Sequence, residues 1–345
     1  MTTELSSRER VLRLFGKEEI DRIPVFSGMG NVTIHGLEKY GWKFSDIHTD
    51  ARKMASMAAS TFQLLGFECA VVPFDLGIEA EALGAVVNFY SHRDDVVYPT
   101  IAEKIGDKVK DLNLKIPADL ARAGRIPLVT EAIRYLNKEL GRQVAIGAWV
   151  LGPYTLAGQL VDLADLNKMS FKDTETIGKI LDTLAGVLIE ISQIYRAAGA
   201  DYITVREMGA GMDILSQRMF KMLIKPPLEH IFSAIASPNI LHICGDTDDI
   251  VELMASCGAD AISVEQRNHV AKSREKLGPD KLIFGNIDPY GVMVEGKPED
   301  IDNAVKEAIT SGVNAIWPGC DIWPTVPREN MEALVRAVKR YGKLG

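Results

Sequence analysis

Short hydrophobic runs alternate with longer amphipathic stretches along most of this chain, and one phrase recurs. A small residue and a glycine close a helical stretch, and a β-rich run follows: LGFECAVVPF at 65–74, AGADYITVRE at 198–207, CGADAISVEQ at 257–266 and SGVNAIWPGC at 311–320. The glycine suits the residue just past a helix end, and the apolar run suits a strand buried on both faces. Further strands are expected at 144–149, 239–244 and 281–285, with helical periods at 126–140, 171–198, 248–256, 298–310 and 328–341. An open doubly wound sheet would alternate in the same way. The length and the unbroken repetition favour a closed (β/α)8 TIM barrel. The expectation is therefore one α/β barrel domain over 1–345, with 1–60 as an N-terminal helical extension packed on it. The stretch 89–117, with charges and Pro99, reads as a long surface excursion.

Composition narrows the function classes. A chain of 345 residues, 47% hydrophobic and 25% charged, builds a core without disulfide staples. A net charge of −8 argues against the basic stripe of a nucleic-acid binder. Charges interrupt every apolar stretch near the N-terminus, and no run approaches the ~20 apolar residues of a membrane span, so neither a signal peptide nor a membrane anchor is expected. Four cysteines with unrelated spacings do not form a disulfide framework, which suits the cytoplasm.

The chemistry gathers at strand ends. In NILHIC at 239–244, residues two apart share a face, so His242 and Cys244 project together just before the Gly245-Asp246 turn. Cys320 follows the run NAIWP and Gly319. In a barrel, C-terminal strand ends form the catalytic face. One imidazole and two thiols there suit zinc with an open fourth position, whereas buried cysteine can also be simple packing. Cys69 and Cys257 lie at strand starts and are expected to pack the core. Other strand-end candidates for a catalytic role are Glu265, either a displaceable fourth ligand or proton acceptor or a solvated rim carboxylate; Arg206 and Glu207, either holding a substrate or partner or pairing with each other; and Asp75, a working acid or a helix cap. Phe74, Trp149, Tyr154, Trp317 and Trp323 are candidates to line a flat apolar substrate pocket, or else they fill the barrel rim. The motif at Asp46-Ile47-His48 brushes a cobalamin-binding pattern, but Ala51 stands where that pattern needs glycine.

At HICGDTDDIVELMASCGADAISVEQ and GVNAIWPGCDIWPTVPREN the chain resembles the uroporphyrinogen decarboxylase superfamily. More narrowly, it is similar to its zinc branch, the methylcobamide:coenzyme M methyltransferases. GNIDP at 285–289, AGRIPLVTEAI at 123–133 and GPYTLAGQL at 152–160 extend the resemblance from about Arg8 to the C-terminus. It implies a (β/α)8 barrel, zinc held by His242, Cys244 and Cys320, and a corrinoid (cobalamin) carried by a partner protein. The implied reaction moves methyl from that corrinoid protein to a thiol such as coenzyme M. The reverse direction, demethylating a methoxylated aromatic onto cobalt(I), stays open, as do a homodimer and a non-catalytic binding barrel. A decarboxylase reading is disfavoured because the stretch 23–31, IPVFSGMGN, lacks the arginines that receive a porphyrinogen's carboxylates.

Overall fold

The computed structural model describes residues 4–344. Seven parallel strands form one sheet: β1 (Cys69–Val72), then, after a small hairpin of β2 (Val86–Asn88) and β3 (Thr100–Glu103), β4 (Ala145–Leu151), β5 (Tyr202–Arg206), β6 (Asn239–Ile243), β7 (Ala261–Val264), β8 (Leu282–Ile287) and β9 (Ala315–Pro318). Their order is β1-β4-β5-β6-β7-β8-β9, each pairing in parallel with the next. Nearly every residue in them is buried. The continuous apolar runs of the sequence are thus strands covered on both faces.

Residues 24–26 join the two edges of this sheet. Glu68 N donates to Val25 O at 2.9 Å beside β1, and Ile316 N of β9 donates to Pro24 O at 3.0 Å. Phe26 N donates to Ile316 O at 3.2 Å. Part of the stretch expected as helical extension is therefore extended backbone in the barrel wall. Single bridge residues on either side of Pro24, Arg22 and Val25, carry no periodic signal, so pattern alone missed it. The chain then rises inside the barrel, where only glycine fits: a Cβ at Gly28 would lie 1.9 Å from Thr204 Oγ1.

The helix Ser7–Phe15 crosses the N-terminal end of the barrel, fixed by Arg8 to Asp201, which precedes β5, at 2.6 Å. Its last residue, Phe15, meets Phe26, Tyr202 and Phe284 with ring centroids 5.6–6.2 Å apart, and Trp317 closes on Phe26 at 5.1 Å. These rings plug that end with apolar surface. At the opposite end, the expected surface excursion 89–117 contributes β3 of the hairpin, and Tyr98, Pro99 and Thr100 wall a cavity over the barrel mouth. The helical period 171–198 breaks at Asp173, which caps the helix Thr174–Ala198 by accepting from Thr176 N. Among the described residues no helix is long and apolar enough to cross a membrane.

Candidate metal centre

His242 is the fourth residue of β6, and Cys244 follows the strand; Cys320 stands two residues after β9. The barrel brings them together although Cys320 is 76 residues from Cys244. His242 Nε2 lies 3.0 Å from Cys244 Sγ, which lies 3.3 Å from Cys320 Sγ, and one donor atom from each of the three falls within 4.8 Å of the others. His242 is fully buried, and the two thiols are partly buried.

The sheet register explains the imidazole's orientation. His242 and Ser263 are paired on β6 and β7, and Ser263 Oγ sits 3.0 Å from His242 Nδ1. With Nδ1–H donating to this hydroxyl, the Nε2 lone pair faces the thiols, the arrangement that orients a metal-binding histidine. The two sulfurs are within hydrogen-bond distance of each other. The hydrogen bond from Cys244 holds the Cys320 sulfur well below the ordinary thiol range, aided by His242 and the Arg206 charge, while Cys244 is pushed up by that same bond and by burial. An imidazole and two thiols are a donor set that fits zinc.

A cavity of about 450 Å³ opens beside Cys320, walled by Phe74, Tyr98, Ile322 and Trp323 and reached by Arg206 and Asp321. Arg206, at the end of β5, sits with its guanidinium carbon 4.6 Å from the centre of the Trp149 ring and bonds Asp321. Asp75 borders the same cavity but is saturated. It takes His48 Nδ1 at 2.8 Å and Arg125 through two bonds of 2.8 and 2.9 Å. Burial alone would push its carboxyl up, yet these partners outweigh it and hold Asp75 well below the usual carboxylate range.

Several candidates from the sequence lie elsewhere. Glu207 turns away from Arg206 and accepts from Tyr154 N, Thr155 N and Thr155 Oγ1 at 2.6–2.9 Å, capping the helix Pro153–Leu160; burial nonetheless pushes it up to about 7. Glu265 stays outside the three-donor group. Its oxygens go to Gly245 N at 2.6 Å and Arg267 Nε at 2.9 Å, bracing the loop behind Cys244. Tyr154 is buried between helices, its hydroxyl donating to Asn167 at 2.7 Å. Trp149 and Trp317, which lie within β4 and β9, are fully buried beneath the mouth, where packed side chains fill the barrel. Of the five aromatics, Phe74 and Trp323 line the cavity, and Trp323, half exposed, leans on Tyr290 with ring centres 5.1 Å apart.

The family model for uroporphyrinogen decarboxylase (URO-D) matches residues 6–341. The chain belongs to this family. Among its relatives, the methylcobamide:CoM methyltransferase MtaA of Methanosarcina barkeri (strain Fusaro / DSM 804) is 30% identical over 340 residues, covering 98% of this chain and 99% of that protein. The methylcobamide:CoM methyltransferase MtbA of Methanosarcina acetivorans is 28% identical over 342 residues, again 98% and 99%. A solved methyltransferase from Methanosarcina mazei superposes with a TM-score of 0.92 at 30% identity, covering 98% of this chain and 99% of that one. That structural likeness supports the (β/α)8 barrel expected from the sequence.

Sequence reasoning missed three residues of this URO-D family site. Ser263 had a signal, a lone hydroxyl in the apolar run AISV. Asp321 had one too, as the neighbour of Cys320. Tyr98 had none, since only the fold of the hairpin carries it to the mouth.

Proposed function

We propose that this protein is a zinc-dependent methyltransferase that takes methyl from a corrinoid carried by a partner protein and gives it to a small thiol. The observation that carries this reading is the convergence of His242, Cys244 and Cys320 at the barrel mouth, in a chain whose full-length relatives bear methylcobamide:CoM methyltransferase names. His242 Nε2, Cys244 Sγ and Cys320 Sγ would hold the metal. Bound there, zinc keeps an acceptor thiol deprotonated and nucleophilic near neutral pH.

The chain's own residues supply the rest. Ser263 fixes the imidazole, and Glu265 braces the backbone behind Cys244 through Gly245. Phe74, Tyr98, Ile322 and Trp323 keep bulk water from the sulfur, which strengthens local electrostatics. The reaction is a displacement: the acceptor's sulfur bonds the methyl carbon while the carbon–cobalt bond breaks. That bond's electron pair stays on cobalt, methylcobalt(III) becoming cobalt(I), and the thiol's proton passes to solvent. The thiol direction is supported by the relatives' names. Unpaired thiols at all four cysteines suit a reducing cytoplasm.

Metal analysis of protein purified without added metal or chelator tests the centre, and methylcobalamin with 2-mercaptoethanesulfonate tests the reaction. We expect about one zinc per chain, as a three-ligand catalytic site holds, together with loss of the methylcobalamin spectrum. Folded protein that neither contains nor takes up zinc would remove the proposed centre.

A further inference from the structure

The cavity beside Cys320 is bordered by one cationic side chain among the described residues, Arg206. Its guanidinium is 1% exposed and lies over Trp149. Nη2 bonds Asp321 and reaches Met208 Sδ at 3.5 Å, but Nε and Nη1 are buried with no hydrogen-bond partner. A buried donor left unpaired costs about 1–3 kcal/mol, more when charged, so this fork is built for something besides Asp321. The two partners differ in freedom: the Arg206 side chain is 1% exposed and that of Asp321 39%. The cation is fixed and its carboxylate can turn to water.

Position defines the ligand further. Arg206 is the register partner of His242 on the neighbouring strand, one strand spacing of about 4.8 Å away. Arg206 and Cys320 also border the same cavity, so a short molecule can span from the donors to the guanidinium. The wall between them is apolar, formed by Phe74, Ile322 and Trp323. The other charged wall residue, Asp75, is already matched by Arg125 and His48 and has no free charge to offer.

We propose that Arg206 is an anion subsite that receives the sulfonate or carboxylate at the far end of a short thiol acceptor, with Asp321 as the placeholder it displaces. The proposal rests on the thiol-acceptor reading above. A planar, permanently charged fork binds either oxyanion through paired hydrogen bonds. Asp321 neutralises the cation between turnovers and, by competing, sets how tightly the anion binds.

Two measurements test this. In the first, methyl transfer from methylcobalamin is followed with 2-mercaptoethanesulfonate, 3-mercaptopropionate and neutral 2-mercaptoethanol. The wild type is expected to favour the anionic thiols in kcat/KM by about 10-fold or more, the range that a charged hydrogen bond supplies. Arg206→Met brings that ratio close to one, and Asp321→Asn lowers KM for the anionic thiols alone. In the second, calorimetry follows ethanesulfonate, which has no thiol, binding to the protein with and without zinc. Binding should be lost in Arg206→Met and tightened in Asp321→Asn. An unchanged thiol ratio in Arg206→Met, or equal use of charged and neutral thiols by the wild type, overturns the subsite while leaving methyl transfer intact. Ethanesulfonate binding that depends on Arg206, in a protein that methylates no thiol, keeps the subsite and defeats the methyl-transfer reading.

Discussion

The two ends of this barrel use the same residue type for opposite ends. At the N-terminal end, Cys69 opens β1 and Cys257 lies just ahead of β7. Both thiols are buried, and burial pushes each up to about 12. Around that end, Phe15, Phe26, Tyr202 and Phe284 pack ring against ring. At the C-terminal end, Cys320 is partly buried, and its sulfur is held well below the usual thiol range by the bond from Cys244, by His242 and by Arg206. Burial alone therefore does not decide what a cysteine does here. The neighbours decide it: a second thiol, an imidazole and a guanidinium stand around Cys320, whereas desolvation dominates at Cys69 and Cys257.

The largest effect should come from removing a donor at the mouth. Cys320→Ser and His242→Ala are each expected to lose zinc and activity while the fold survives, by more than the ~10–100-fold that loss of a supporting residue costs. Cys257→Ser, the same chemical change at the other end, is expected to keep its metal. Zinc content and turnover of the three variants decide the matter. Near-normal turnover in Cys320→Ser, or zinc lost from Cys257→Ser, would erase the contrast between the ends.

A change at the plugged end should reverse the pattern. Phe284 packs against Phe26 at 5.3 Å, Trp317 at 5.3 Å and Phe15 at 5.6 Å. Phe284→Ala should destabilise the protein by about 3–5 kcal/mol, the usual cost of an emptied aromatic site. Denaturant unfolding measures that loss, and zinc content at low temperature should stay at the wild-type value. Stability lost together with metal would mean that the two ends are one cooperative unit rather than separable regions.

How much of this was legible beforehand follows from the same division. The seven strands of the main sheet were readable because each is a continuous apolar run and four of them follow a helix-ending glycine, and His242, Cys244 and Cys320 because strand ends carry them. Residues 24–26 were not, since three residues of extended backbone that include Pro24 have neither period nor length. The aromatic candidates were read by sequence proximity to strand ends, but one or two positions along a strand separate the packed interior from the mouth. Trp149 and Trp317 fell inside and Trp323 outside. Glu207 was misjudged for a related reason. Its backbone follows β5, but its side chain answers the unpaired amides of the helix Pro153–Leu160, a demand that only the folded neighbour creates.

The smallest effect, and the sharpest test of how the mouth is built, lies at Ser263. Its hydroxyl is 3.0 Å from His242 Nδ1, and the residue is fully buried on the strand beside the imidazole's own. If the contrast between the ends rests on neighbours and not on burial, a buried hydroxyl with no ligand role should still matter. Ser263→Ala removes only the acceptor for Nδ1–H, leaving the ring free to change tautomer or to turn, while the cavity created is no larger than one oxygen. Zinc affinity should fall by about 10–100-fold, as for other partners of metal-binding histidines, with unfolding stability nearly unchanged when measured without metal. Competition against a chelator of known affinity reads the first quantity and denaturant titration the second. Unchanged zinc affinity in Ser263→Ala would mean that packing alone orients His242, and the polar register between β6 and β7 would then be incidental to the centre.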